Sequence, residues 1–411
     1  MTVLDRLDID QLVAPGVLRP GYQPIVDLAS GETVAFEALA RWPDLGVRPD
    51  QAFELAGDTG RLAELDWACR LAAIEGALAA GLTRDLALFV NIEPSTLGRP
   101  GPPGSGAVLA TAHEHLRLVV ELTERALLRR PAELLTLVER VRSWGWGIAL
   151  DDVGAVPDSL AMLPFVAPDV VKLDLSLVQR WPDATQGRIV AAVMDHAERT
   201  GAIVLAEGIE TEQHLEQALA LGATLGQGWL FAAAGPLADP VSPANPLPPS
   251  AAGLDVPDSP FALAERSSRL QTGRKGLLLG LSRHFERRAE TAASTPPLLL
   301  GSFQTADWFT PTTARRYQAL ARSSPLVAAL GVGMGTQPAG GVRGGSLRSD
   351  DPLRREWSVV VVGPHYSGAL IARDLDDDGP DLDRRFAFLV THDRDTVVAA
   401  ARSMLRRLDP A

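Results

Sequence analysis

The sequence predicts an α/β chain: a closed barrel of alternating strands and helices, followed by a smaller α/β domain. Three observations carry this. Short apolar runs alternate with amphipathic helical stretches between about residues 21 and 238, the pattern of βαβ units around a parallel sheet. Nearly every apolar run ends abruptly in a polar residue of chemical interest. A Pro-rich stretch over 239–260 then separates this region from a second set of strands and helices, as linkers do.

Residues 1–20 read as an acidic lead-in helix stopped at Pro15-Gly16. Tyr22–Asp27 and Val34–Glu37 are strands joined at Ser30-Gly31, a hairpin signal. Helices follow over about 49–60 and 62–81, the second closing at Gly81, as a C-terminal cap prefers. Leu86–Val90 is a strand ending in Asn91, and the Gly/Pro cluster 98–106 reads as a loop. Leu116–Val120 ends in Glu121. A helix from Pro131 carries Leu134, Leu135, Val138 and Val141 on one face. Ile148–Leu150 ends in Asp151-Asp152, Val170-Val171 runs into Lys172, Ala202–Ala206 ends in Glu207, and a last short strand lies near Gln227. This number of strands suits a modified (β/α)8 barrel of the TIM type. There the C-terminal strand ends share one face, where active sites are built.

That face would gather Glu37, Glu121, Asp151 and Asp152 with Asn91, Lys172, Glu207 and Gln227. None of the seven histidines shows ligand spacing. An all-oxygen donor set selects hard ions, Mg2+ or Mn2+, and this many carboxylates can hold two. A two-ion site suits in-line attack on a phosphate. Lys172 can then hold or polarise the attacking water, Glu207 can accept its proton and Arg41 can neutralise substrate phosphate.

The motifs carrying these residues are YQPIVDL (22–28), EALARW (37–42), VNI (90–92), ELTE (121–124), LDD (150–152), KLD (172–174), AEGIET (206–211) and QGW (227–229). In this order they closely resemble the EAL family of cyclic-di-GMP phosphodiesterases, over residues 21–238. The resemblance implies a barrel with one antiparallel strand and hydrolysis of cyclic-di-GMP to linear pGpG. It implies Glu37, Asn91, Glu121, Asp151 and Asp152 as metal ligands and Lys172 and Glu207 as catalytic groups. Gln23, Leu39, Arg41, Asp174 and Gln227 fall on substrate-binding positions, and Glu124 and Glu210 on supporting ones. A homodimer through this domain is also implied. The sequence departs from the family at Val153–Leu160, where Val156 replaces a Gly and Pro157 a Tyr. The alternative is therefore a catalytically weak or inactive domain acting as a cyclic-di-GMP receptor.

Residues 261–408 resemble the DICT sensory domain, which implies an unknown signal or protein partner. The acidic run Asp374–Asp378 reads as a solvated turn, and the Gly-rich stretch 331–346 as turns. A net charge of −12 argues against binding nucleic-acid polymers. With no long apolar run and no basic leader, the expectation is a cytoplasmic protein that does not meet a membrane. Cys69, the single cysteine, reads as a small buried residue.

Overall fold

The computed structural model describes residues 8–93, 96, 98–123, 130–154, 157–181, 183–237, 240–251, 253, 256–291, 296–378 and 380–408. Two compact units emerge: Met1–Ala126 with Leu137–Ala155 and Pro168–Gly253, and Leu127–Thr136 with Val156–Ala167 and Leu254–Ala411. Among the described residues no helix is long and apolar enough to cross a membrane.

The first unit is the expected closed barrel. Its strands are β1 Gly21–Asp27, β2 Thr33–Leu39, β3 Ala87–Asn91, β4 Arg117–Thr123, β5 Gly147–Val153, β6 Val170–Leu173, β7 Ile203–Ala206 and β8 Leu225–Gly226. β1 runs antiparallel to both β2 and β8, while the remaining neighbours are parallel. The reversal follows from the short β1–β2 hairpin, since a parallel pair would need a long crossover. Asp27 Oδ1 accepts from the Ser30 N–H (2.7 Å), and Gly31 takes φ 76° to close the turn.

The parallel strands are buried on both faces, which is why they read as unbroken apolar runs. Helices cover the outside. Ala184–Thr200 begins in a capping box between Asp183 and Gln186 and ends at Gly201, φ 75°. Leu134, Leu135, Val138 and Val141 of the helix Pro131–Ser143 are all buried. One helix, Ser105–His115, begins where the expected Gly/Pro loop ends and has no counterpart among the expected elements. Its start is hidden by the Gly and Pro residues before it, and only Ala112 of it is fully buried.

The Pro-rich stretch lies along the N-terminal strand ends. Leu247 is buried with Ile25, Val119, Ala149 and Val170. Arg117 donates to the carbonyls of Leu247 and Pro248, and the Ala251 N–H donates to Asp169 Oδ1 (2.7 Å). Proline lacks a donor, so side chains from the barrel supply the hydrogen bonds that hold it.

The second unit is built on a seven-stranded sheet: β9 Gln271–Arg274, β10 Leu298–Thr305, β11 Val327–Val332, β12 Val342–Ser346, β13 Glu356–Val362, β14 Ser367–Asp374 and β15 Arg385–Thr391, in the order β12-β11-β10-β13-β14-β15-β9. The pairs β10–β11 and β11–β12 are parallel and the rest antiparallel. Val359 and Val361 pack with Leu278, Phe285 and Ala289 of the helix Lys275–Thr291. Val360 and Val362 are equally buried, and the strand pleat turns them to the opposite face. The helix Arg394–Leu405 also packs against β13.

The Gly-rich stretch 331–346 therefore holds a strand as well as turns. Its glycines answer to packing, since a Cβ at Gly344 would run into the Gly335 carbonyl. The acidic run is not merely solvated. Asp374 is buried against Arg384, Asp376 pairs with Arg355, and Asp377 accepts from the Arg385 N–H.

The second unit also contains the residues that follow the Asp pair. Pro157–Met162 form a 3-10 turn and Leu163–Val166 a short helix, with Leu160 to Val166 all buried. Buried Arg402 donates to the carbonyls of Pro164 (2.6 Å) and Phe165 (3.3 Å). Burial lowers its pKa to about 10, so the guanidinium stays charged at neutral pH.

Candidate active site

Strand register assembles the site. Gln23 on β1 sits opposite Glu37 on β2, Asn91 on β3 opposite Glu121 on β4, and Thr123 opposite Asp151 on β5. At the centre is Lys172, only 1% exposed. Its Nζ lies 2.6 Å from Glu121 Oε1, 2.8 Å from Glu207 Oε1, 2.9 Å from Asp151 Oδ1 and 3.5 Å from Glu37 Oε2. A ring of amides completes the group. Asn91 Nδ2 donates to Glu37 Oε1 (3.2 Å) and Gln227 Nε2 to Glu37 Oε2 (2.7 Å). Gln227 also donates to Gln23 Oε1 (3.2 Å).

Neighbouring residues of a strand normally point to opposite faces, yet carboxylate oxygens of Asp151 and Asp152 lie close together here. Between Leu150 and Val153 the β5–β6 register shifts, and Asp152 takes φ 56°. Such a bulge re-aims a side chain, and Asp tolerates the left-handed region better than most residues. As a result, carboxylate oxygens of Asp151, Asp152 and Glu207 lie within 4.8 Å of one another.

The electrostatics are unbalanced, with four carboxylates meeting one ammonium. Burial works against the Lys172 ammonium. The carboxylates of Asp151, Glu121, Glu207 and Glu37 more than reverse this and hold its pKa well above the ordinary range. Burial, and then the Glu37 charge, push Glu121 well above the carboxylate range. Burial also lifts Glu207, to about 8, against the pull of Lys172. Glu37 moves the other way: Lys172 and the amide donors outweigh its burial and lower it. Among the described residues, nothing donates a hydrogen bond to buried Glu121 Oε2. An all-oxygen cluster with surplus negative charge and an orphaned carboxylate oxygen fits divalent cations.

Arg41, Leu39 and Asn91 line a cavity of about 210 Å³ beside this cluster. Asp66 and Arg70 line the same cavity and were not singled out in the sequence. Asp66 pairs with Arg70 and accepts from Thr96 Oγ1 (2.5 Å) and the Glu93 N–H (3.0 Å). The available signal was their i, i+4 spacing on a helix. Cys69, also on this lining, is only partly buried, and desolvation pushes its thiol up to about 12. Asp174 caps the helix Leu175–Gln179, accepting from the Ser176 N–H (2.9 Å). Glu210 is exposed, and its N–H donates to His214 Nδ1. Glu124, Ala155 and Val156 lie outside the described residues.

Residues 7–234 match the family model described as the EAL domain. The chain belongs to the EAL domain family. Beyond the EAL barrel, residues 261–375 match DICT, the sensory domain in diguanylate cyclases and two-component systems. Over 221 residues the EAL region is 33% identical to the cyclic di-GMP phosphodiesterase RocR of Pseudomonas aeruginosa, covering 51% of this chain and 56% of that protein. It is also 33% identical over 240 residues to the cyclic di-GMP phosphodiesterase NbdA of that species, covering 56% of this chain and 30% of the relative. The chain thus spans little more than half the length of one and less than a third of the other. The PaMucR phosphodiesterase, solved in complex with c-di-GMP, is 27% identical with a TM-score of 0.49, covering 57% of this chain and 98% of that one.

Proposed function

We propose that the EAL barrel hydrolyses cyclic-di-GMP to linear pGpG with two divalent ions, Mg2+ or Mn2+, and that the DICT domain regulates it. The observation that carries this reading is the convergence of Glu37, Glu121, Asp151 and Glu207 on one buried lysine, with more negative charge than the lysine can balance.

Glu37, Asn91, Glu121, Asp151 and Asp152 would hold the ions. When bound, the ions supply Lewis-acid polarisation of phosphate oxygen and the positive charge that keeps the surrounding carboxyls ionised. In the reaction a water oxygen bonds to phosphorus, the P–O3′ bond breaks and the 3′ oxygen gains a proton. Glu207 takes the water's proton, and Lys172, which it touches at 2.8 Å, holds the water in line. Gln23, Leu39, Arg41, Asp174 and Gln227 bind the dinucleotide, Arg41 meeting its phosphate charge.

The test is turnover of cyclic-di-GMP by the full chain with Mn2+, beside the Glu207→Gln variant. Wild type should release pGpG. The variant should lose turnover by about 10²-fold or more while binding within severalfold of wild type. Tight binding without product in wild type would make the barrel a receptor. Joint loss of binding and turnover in the variant would remove Glu207 from the role of base.

A further inference from the structure

The DICT domain has a cavity of its own, about 380 Å³, within the size range of small-molecule sites. Four of its lining residues are aromatic, among threonines and charged side chains. Phe386 and Phe303 are buried, and Trp357 meets Phe386 edge-on at 5.9 Å. Trp308 stands at the rim, 40% exposed, though a side chain of that size is normally covered. The Lys275 ammonium lies 3.7 Å over its ring and fixes the indole plane.

The charges lining the cavity nearly cancel. Lys275 pairs with Asp381 (2.6 Å) and Arg316 with Glu286 (2.8 Å). Arg283 remains: it is exposed on the helix Lys275–Thr291, lines the cavity and meets no carboxylate among the described residues. Gln304, also on the wall, is held at φ 60°, a conformation costly for a residue with a side chain. Aromatic lining residues favour a flat ring, and one unneutralised guanidinium favours one negative charge.

We propose that this cavity binds a flat aromatic monoanion, an aryl or indolyl carboxylate, its ring among the aromatic side chains and its carboxylate on Arg283. This goes beyond the phosphodiesterase reading and does not depend on it, because the test reads binding alone. Titration calorimetry of the full chain with indole-3-acetate should give one equivalent of heat. Tryptamine, with the same ring and the opposite charge, should give none. Nor should cyclohexanecarboxylate, which keeps the charge and lacks the ring. Trp308→Ala and Arg283→Glu should each weaken indole-3-acetate binding at least about tenfold, and Arg283→Lys should largely preserve it. Arg283 is exposed, so its variants test the site without disturbing the core. Absence of binding by indole-3-acetate and 2-naphthoate, equal binding of tryptamine, or an unchanged Arg283→Glu variant would each overturn the proposal.

Discussion

The two ends of the barrel handle buried charge in opposite ways. At the N-terminal strand ends, Asp169 pairs with Arg142, whose side chain is fully buried. The Asp169 carboxylate also accepts from the Ile148 N–H (2.7 Å) and the Ala251 N–H (2.7 Å). This negative charge meets Arg142 directly and acts on Arg117 nearby, and backbone donors take up further lone pairs. At the C-terminal ends, four carboxylates share Lys172, and Glu121 Oε2 is left over. Burying charge is tolerable when it is matched and hydrogen-bonded. Left unmatched, it lowers stability and persists where the excess has a use. The balanced end has the character of scaffold, and the unbalanced end that of a site.

Removing the lone cation should break this arrangement most severely. Lys172→Met leaves Glu37, Glu121, Asp151 and Glu207 facing one another without a counter-charge. The metal-free barrel should lose about 3–5 kcal/mol, read from the denaturant midpoint. The loss should shrink below pH 4.5, where the carboxyls become neutral without help. A loss as large at low pH would mean that the lysine acts by packing rather than by charge.

A pH titration sharpens the same contrast. Glu207 has its pKa raised from 4.5 to about 8, and Glu121 is also raised. The folded state therefore keeps protons that the unfolded chain releases. Stability from Glu207 is fully present below pH 4.5, falls as pH rises towards 8 and is lost above it, and that from Glu121 changes in the same direction. Glu37 is lowered, so its contribution changes only at the acid end, and Lys172 is raised, so its contribution changes only above 10.5. Metal-free protein should thus melt at progressively lower temperature between pH 5 and 8. Glu207→Gln should flatten that slope, and Mn2+ should flatten it in wild type. A flat wild-type profile without metal would mean that the cluster is not strained by its charge.

The site's members were legible in the sequence because parallel strands advertise their ends. Apolar runs such as ALFV and GIAL stop where the chain leaves the barrel, and the polar residue that follows must lie on the common face. The barrel's closure was legible by the same logic. The sequence did not reveal that Lys172 touches carboxylates on three other strands and one just beyond a fourth, because only register and closure bring those strands together. Nor did it reveal the bulge that lets Asp152 join Asp151, a backbone feature with no signature of its own in LDDV. β12, reading VRGGS, was hidden because glycines carry no alternating pattern. The proline-rich stretch read as a linker by composition, while its place on the barrel depends on Leu247 and on donors from Arg117 and Ala251.

The smallest expected effects give the most direct contrast, because the same kind of substitution should have opposite signs at the two ends. Asp169→Asn removes the charge facing buried Arg142 and weakens a satisfied acceptor, so it should destabilise the barrel by about 1–3 kcal/mol. Manganese affinity should be unchanged, since Asp169 lies at the other end of the strands. Glu121→Gln replaces a carboxylate that burial and the Glu37 and Asp151 charges make costly to ionise with a neutral group of the same shape, and so relieves that repulsion. Metal-free protein should gain about 0.5–2 kcal/mol while manganese affinity falls, the exchange of stability for function expected of a strained site. Thermal melts of both variants with and without Mn2+ measure all four quantities. If both substitutions destabilise metal-free protein equally, the C-terminal end is as well matched as the N-terminal end, and the charge imbalance is not what distinguishes the site.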